Sequence, residues 1–127
     1  MDVFKTPGAF SWSELVTTDP ASAAEFYAKL FGWNVKAPDE AMGGYRVVNV
    51  ADTAVAGIMA IPKDAPPMPP HWGCYVTVGN VDETVGRSTS LGGKVLMPPM
   101  DIPGVGRMAV LQDPQGAVLS VIAYAAM

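Results

Sequence analysis

Asp19-Pro20-Ala21-Ser22-Ala23-Ala24-Glu25-Phe26-Tyr27-Ala28-Lys29-Leu30-Phe31-Gly32 begins with a carboxylate able to cap a helix and ends on a glycine able to stop one. Between them Ala23, Phe26, Tyr27 and Leu30 fall at the three-and-four spacing of an amphipathic helix. The alternating residues 11–18 just before it read as a strand. The same order returns 61 residues later: residues 72–78 read as a strand, Asn80 as a cap, Val81, Val85 and Leu91 as an apolar helix face, and Gly92-Gly93 as the stop. Laid over each other without a gap, the halves set Asp19 on Asn80, Leu30 on Leu91 and Gly32 on Gly93. Similarity at a fixed offset marks a duplicated unit.

After each helix come three β-rich runs, 33–36, 44–50 and 54–61, then 94–97, 107–112 and 117–124. The reading is an α+β fold of two βαβββ units, residues 8–61 and 71–124, in a single domain spanning 1–127. Pro62-Lys63-Asp64-Ala65-Pro66-Pro67-Met68-Pro69-Pro70 can neither continue a helix nor pair as a central strand, so residues 62–70 read as the linker. Asp113-Pro114-Gln115-Gly116 has the residue order of a tight turn.

Half of the residues are hydrophobic and only 16% are charged, enough apolar surface to form a core. With 8 basic against 12 acidic residues the net charge is −4, which argues against a nucleic-acid partner. The most apolar runs, 54–62 and 116–127, are too short to cross a bilayer, and the first residues lack the pattern of a targeting signal. No membrane partner and a cytoplasmic location are the expectations. One cysteine, Cys74, allows no intrachain disulfide; in an apolar strand it reads as inert packing. His71 is the only histidine, so a site of two histidines and a carboxylate cannot form within one chain. Neither a Gly-X-Ser-X-Gly elbow nor a phosphate loop occurs.

The duplicated βαβββ pattern, Asp19 with Phe26-Tyr27 and Leu30-Phe31-Gly32-Trp33, and the closing Leu111-Gln112-Asp113-Pro114-Gln115-Gly116 resemble the glyoxalase, bleomycin-resistance and extradiol dioxygenase superfamily, also called vicinal oxygen chelate proteins. The resemblance covers residues 8–124 and implies curved mixed sheets around a shared cavity, with metal ligands on the first and last strand of each unit. It would set those ligands at Trp12, Gly57, Gly73 and Ser120. None of the four is a usual ligand, so the expectation is no metal and no cofactor.

Taken two residues at a time from those positions, the implied cavity face collects Phe10, Trp12 and Glu14, then His71, Gly73 and Tyr75, then Val55, Gly57 and Met59, and Val118, Ser120 and Ile122. Trp12, Glu14, Met59, His71, Tyr75 and Ser120 are the candidate ligand-binding residues, with Trp72 a further ring. If the first strands of the units run antiparallel with Trp12 opposite Gly73, Glu14 falls opposite His71. The expected function is metal-free binding of a small organic molecule, planar or cationic, attracted by aromatic rings. The alternative is a lyase, isomerase or dioxygenase of the same superfamily in which Glu14 and His71 serve as acid and base or as ligands. The resemblance also implies a homodimer.

Overall fold

The computed structural model describes residues 1–125. Among them are two α-helices and eight strands, in the order β1 (Phe10–Thr17), α1 (Pro20–Phe31), β2 (Asn34–Val35), β3 (Arg46–Val50), β4 (Thr53–Ala60), β5 (His71–Thr77), α2 (Val81–Ser90), β6 (Lys94–Ile102), β7 (Gly106–Gln112) and β8 (Val118–Tyr124). A 3-10 turn at Glu40–Met42, absent from the sequence reading, follows β2. The duplicated strand–helix–three-strand order is therefore present, in an α+β fold with mixed strand pairing. No described helix is long and apolar enough to cross a membrane.

By packing, the chain divides into a continuous unit, Trp12–Gly73, and a composite unit made of Met1–Ser11 and the residues from Cys74 onward. The division falls inside β1 and β5. In the continuous unit β4 lies between β3, antiparallel, and β1, parallel, with β2 outside β3. The composite unit repeats this arrangement: β8 lies between β7, antiparallel, and β5, parallel, with β6 outside β7. Register is conserved between the repeats as well, since Glu14 pairs with Gly57 and its counterpart Tyr75 pairs with Ser120.

Each helix covers one face of its own strands. Leu15, Val48, Ala56 and Ile58 are buried with Ala24 of α1, and Ala23 and Tyr27 pack against them. In the composite unit Val81 of α2 packs with Ala109 and Val121. Contrary to the sequence reading, Phe26 and Leu30 are exposed; Ala23, Ala24 and Tyr27 supply the inward face of α1. The apolar spacing gave the period of the helix, but its rotation was set by the short side chains that let it lie close to the sheet. Leu91 is likewise exposed, one residue past the end of α2. β6 runs through Pro98-Pro99, where the sequence reading stopped it at 97. As the outermost strand of its unit, with register shifts on either side of Met97, it loses few ladder bonds to proline.

The caps behave as expected. The Asp19 carboxylate accepts from the Ser22 backbone N–H at 3.0 Å and from the Ser22 hydroxyl at 2.8 Å, while Asn80 accepts from the Glu83 N–H at 3.0 Å. The Ser22 backbone bond, then the Ser22 hydroxyl, hold the Asp19 carboxyl below its ordinary value. A group with a depressed folded pKa stabilises above its unfolded pKa and loses that contribution as pH falls through the folded value. Asp19→Ala should therefore lower the thermal midpoint at neutral pH, and the gap from the parent protein should close as pH drops below the ordinary carboxylate value of 3.8. Melting curves across that range check this.

Candidate functional site

Side chains of the continuous unit alternate between two faces of its strands. Leu15, Val48, Ala56 and Ile58 turn toward α1, so Trp12, Glu14, Gly57 and Met59 take the opposite face. Pairing of β1 with β4 sets Glu14 beside Gly57, and pairing of β3 with β4 sets Val47 on the other side of Gly57. Two residues before Val47, and so on that same face, stands Tyr45. It is held by a turn in which the Asp39 carboxylate accepts from the Ala41 N–H and the Asp39 N–H donates to the Tyr45 carbonyl at 2.9 Å. Gly43 and Gly44, at φ of 68° and 88°, take the left-handed conformations that return the chain into β3.

From there the Tyr45 ring lies across Gly57 so closely that a Cβ at position 57 would collide with the phenol hydroxyl and ring carbons. The phenol is bonded on both sides. The Trp12 indole Nε1–H donates to the Tyr45 hydroxyl at 2.8 Å, and the hydroxyl donates to Glu14 Oε2 at 2.8 Å. All three side chains are half-buried, where a hydrogen bond to a carboxylate is worth about 1.5–3 kcal/mol and one between neutral groups about 0.5–1.5 kcal/mol. The result is a polarised row, indole to phenol to carboxylate.

Of the six candidate residues, Trp12 and Glu14 are thus brought together through Tyr45, and Met59 sits on the same face, half-buried, with Val16 as its register partner. His71 is exposed, its Nδ1 2.9 Å from the Pro69 carbonyl. Tyr75 and Ser120 belong to the composite unit, where they are register partners. Tyr75 is buried with its hydroxyl 3.9 Å from Met108 Sδ, and Ser120 is half-buried opposite Val110. Trp72 lies elsewhere: its indole donates to the Tyr27 hydroxyl at 3.2 Å and its ring meets Tyr27 and Trp33 edge-on, among the aromatics of α1. Cys74 is exposed, so it is not the packed residue an apolar strand suggested. Tyr45 was missed by the sequence reading, yet Gly57 inside an apolar strand was a signal that another group approaches closely there.

Residues 9–121 match the family model described as Glyoxalase/Bleomycin resistance protein/Dioxygenase superfamily. The chain belongs to this superfamily. It is 41% identical over 116 residues to a Mycobacterium tuberculosis protein named "Putative glyoxylase CFP32", and 36% identical over 128 residues to the anthracycline biosynthesis protein DnrV of Streptomyces peucetius. Each match takes 91% of this chain but only 44% and 46% of the relative, so the chain spans less than half the length of the curated relatives it matches. Among solved structures, a methylmalonyl-CoA epimerase from Mycobacterium tuberculosis shares the fold at a TM-score of 0.68 and 16% identity, over 94% of this chain and 89% of that one.

The metal enzymes of the superfamily supply a test of the residues at the expected ligand positions. Gly57 and Gly73 offer no donor atom, and the Trp12 nitrogen carries a hydrogen already given to Tyr45. Ser120 offers only a neutral hydroxyl, and no group of three or more His, Cys, Asp or Glu able to hold a metal occurs among the described residues. These residues do not fit a divalent cation at the superfamily's positions.

Tyr45 and Gly57 should be energetically coupled. Gly57→Ala is expected to cost about 1–3 kcal/mol by overpacking against the phenol, and the same substitution in a Tyr45→Ala background should cost at least ~1 kcal/mol less. Urea unfolding of the four proteins in this cycle measures the difference.

Proposed function

We propose that this protein binds a small organic molecule, planar or cationic, without a metal ion, on the strand face that carries Trp12, Tyr45, Glu14 and Met59. His71, in the same unit, is a further contact in this proposal. The observation that carries it is the hydrogen-bonded row from Trp12 through Tyr45 to Glu14. A half-buried indole offers a ring face to a flat or cationic molecule, at about 0.5–2 kcal/mol per contact. The carboxylate beside it adds negative charge, in keeping with the acidic balance of the chain. The names of the relatives, a glyoxylase and an anthracycline biosynthesis protein, are compatible with work on an organic molecule.

The relative's description as a glyoxylase favours a second reading, in which Glu14 accepts a proton from a bound carbonyl compound. In both readings the protein acts as a homodimer, for which light scattering at micromolar concentration should give twice the chain mass.

Titration with flat organic compounds should quench tryptophan fluorescence with micromolar midpoints, and Trp12→Ala should weaken that binding about tenfold or more while the protein still folds. Elemental analysis of protein purified without chelator should show far less than one equivalent of Zn, Fe, Ni or Mn. One equivalent of metal that is lost on replacing Glu14 would overturn the metal-free reading. An unchanged titration with Trp12→Ala would remove the aromatic wall from it.

A further inference from the structure

The outer side of α1 carries apolar side chains that its own strands do not cover. Phe26, Leu30 and Phe31 are 58%, 56% and 58% exposed. Phe26 and Leu30 stand one turn apart as an apolar ridge, and Glu25 and Lys29 run beside them at the same spacing. Phe26 meets Tyr27 edge-on at 5.0 Å, while Phe31 stacks on Tyr27 at 6.2 Å and tilts against Trp33 at 5.0 Å. The exposed rings are thus propped by the half-buried aromatics beside them. The second repeat serves as an internal control. Under the 61-residue offset it holds Arg87 where α1 has Phe26, and Gly92 where α1 has Phe31. The duplicated skeleton therefore does not require rings at these positions, and an apolar patch rimmed by charge marks a surface of interaction.

Building only on the homodimer part of the reading above, we infer that this ridge is the surface through which two copies of the chain pair, α1 against α1. The charges select the occupant. Glu25 and Lys29 hold opposite signs one turn apart, both exposed, with 2.9 Å between ammonium and carboxylate. A two-fold axis across α1 sets the helix antiparallel to its copy, and in that arrangement the pattern is its own complement. Phe26 packs on Leu30 of the second copy and Leu30 on its Phe26, while Lys29 comes to Glu25 of the second copy and Glu25 to its Lys29. Each ion pair is thereby exchanged between helices at the rim, and the ridge is taken out of water at the centre. A surface of one charge sign would be attracted by one of these residues and repelled by the other, which disfavours a strongly acidic or basic partner.

Sedimentation equilibrium of the parent protein and its variants tests the assignment. Phe26→Asp and Leu30→Asp should each weaken pairing about a hundredfold, with circular dichroism unchanged because both positions are exposed. Leu91→Asp, at the counterpart of Leu30 on the other repeat, should pair as the parent does. Glu25→Lys leaves only cations beside the ridge and Lys29→Glu only anions, so each alone should pair about tenfold more weakly at low salt. Mixed in equal amounts, these two should form a heterodimer at close to the parental affinity, because every charge then faces its opposite. A parent protein that stays monomeric at micromolar concentration would overturn the inference together with the homodimer. A dimer unaffected by both aspartate substitutions would overturn the α1 surface and keep the homodimer. A mixture no tighter than either charge variant alone would overturn the antiparallel pairing. Fluorescence titration of the same proteins with flat organic compounds reads ligand binding separately, so a failure of the binding reading is distinguished from a failure of pairing.

Discussion

The seating of the Tyr45 phenol over Gly57 is the contact on which the candidate site depends. A side chain at position 57 would share the space of the phenol, so a ligand residue there and this tyrosine are mutually exclusive. With the glycine in place, the phenol reaches both Trp12 and Glu14 and joins them in a connected row. The row also gives the half-buried Glu14 carboxylate a hydrogen-bond donor, which offsets part of the cost of removing it from water.

Duplication explains why the two units share a skeleton and differ in chemistry. Equivalent register positions hold Glu14 beside Gly57 in one unit and Tyr75 beside Ser120 in the other. Backbone pairing and helix caps are common to both, because they depend on the order of strand, cap, helix and stop. Side chains on the face away from the helix are free of that demand and have diverged.

The composite unit draws on the start of the chain. Gly8 and Ala9 pair with Thr77, the Thr77 hydroxyl donates to the Val3 carbonyl at 2.6 Å, and Ser11 shares a 2.7 Å hydrogen bond with the Tyr124 hydroxyl. Phe4 meets the Tyr124 ring edge-on at 5.0 Å, and burial raises the pKa of that phenol. These long-range bonds bring the first eleven residues to strands more than sixty residues away. The Arg107 guanidinium, bonded to Asp82 at 2.7 Å and Asp101 at 3.0 Å, ties α2 to β6 and β7 at the surface of the same unit. It holds the Asp82 carboxyl below its ordinary value, although such exposed pairs add little to stability.

Much of the skeleton was legible in the sequence because its signals are local. Asp19 and Asn80 cap helices through bonds to residues three positions on, and alternation marks strands without reference to partners. Period two also placed Trp12, Glu14, Gly57 and Met59 on one strand face. The family resemblance rested on the order of these same elements. Tertiary structure alone decided which polar groups meet. Tyr45 lies 31 residues from Glu14 and 33 from Trp12, on a turn whose exit direction is set by two left-handed glycines. It likewise decided that Phe26 and Leu30 face outward and that Trp72 joins Tyr27 and Trp33. Sequence period gives the spacing of side chains on an element, whereas the rotation of a helix and the reach of a loop follow from the volumes they pack against.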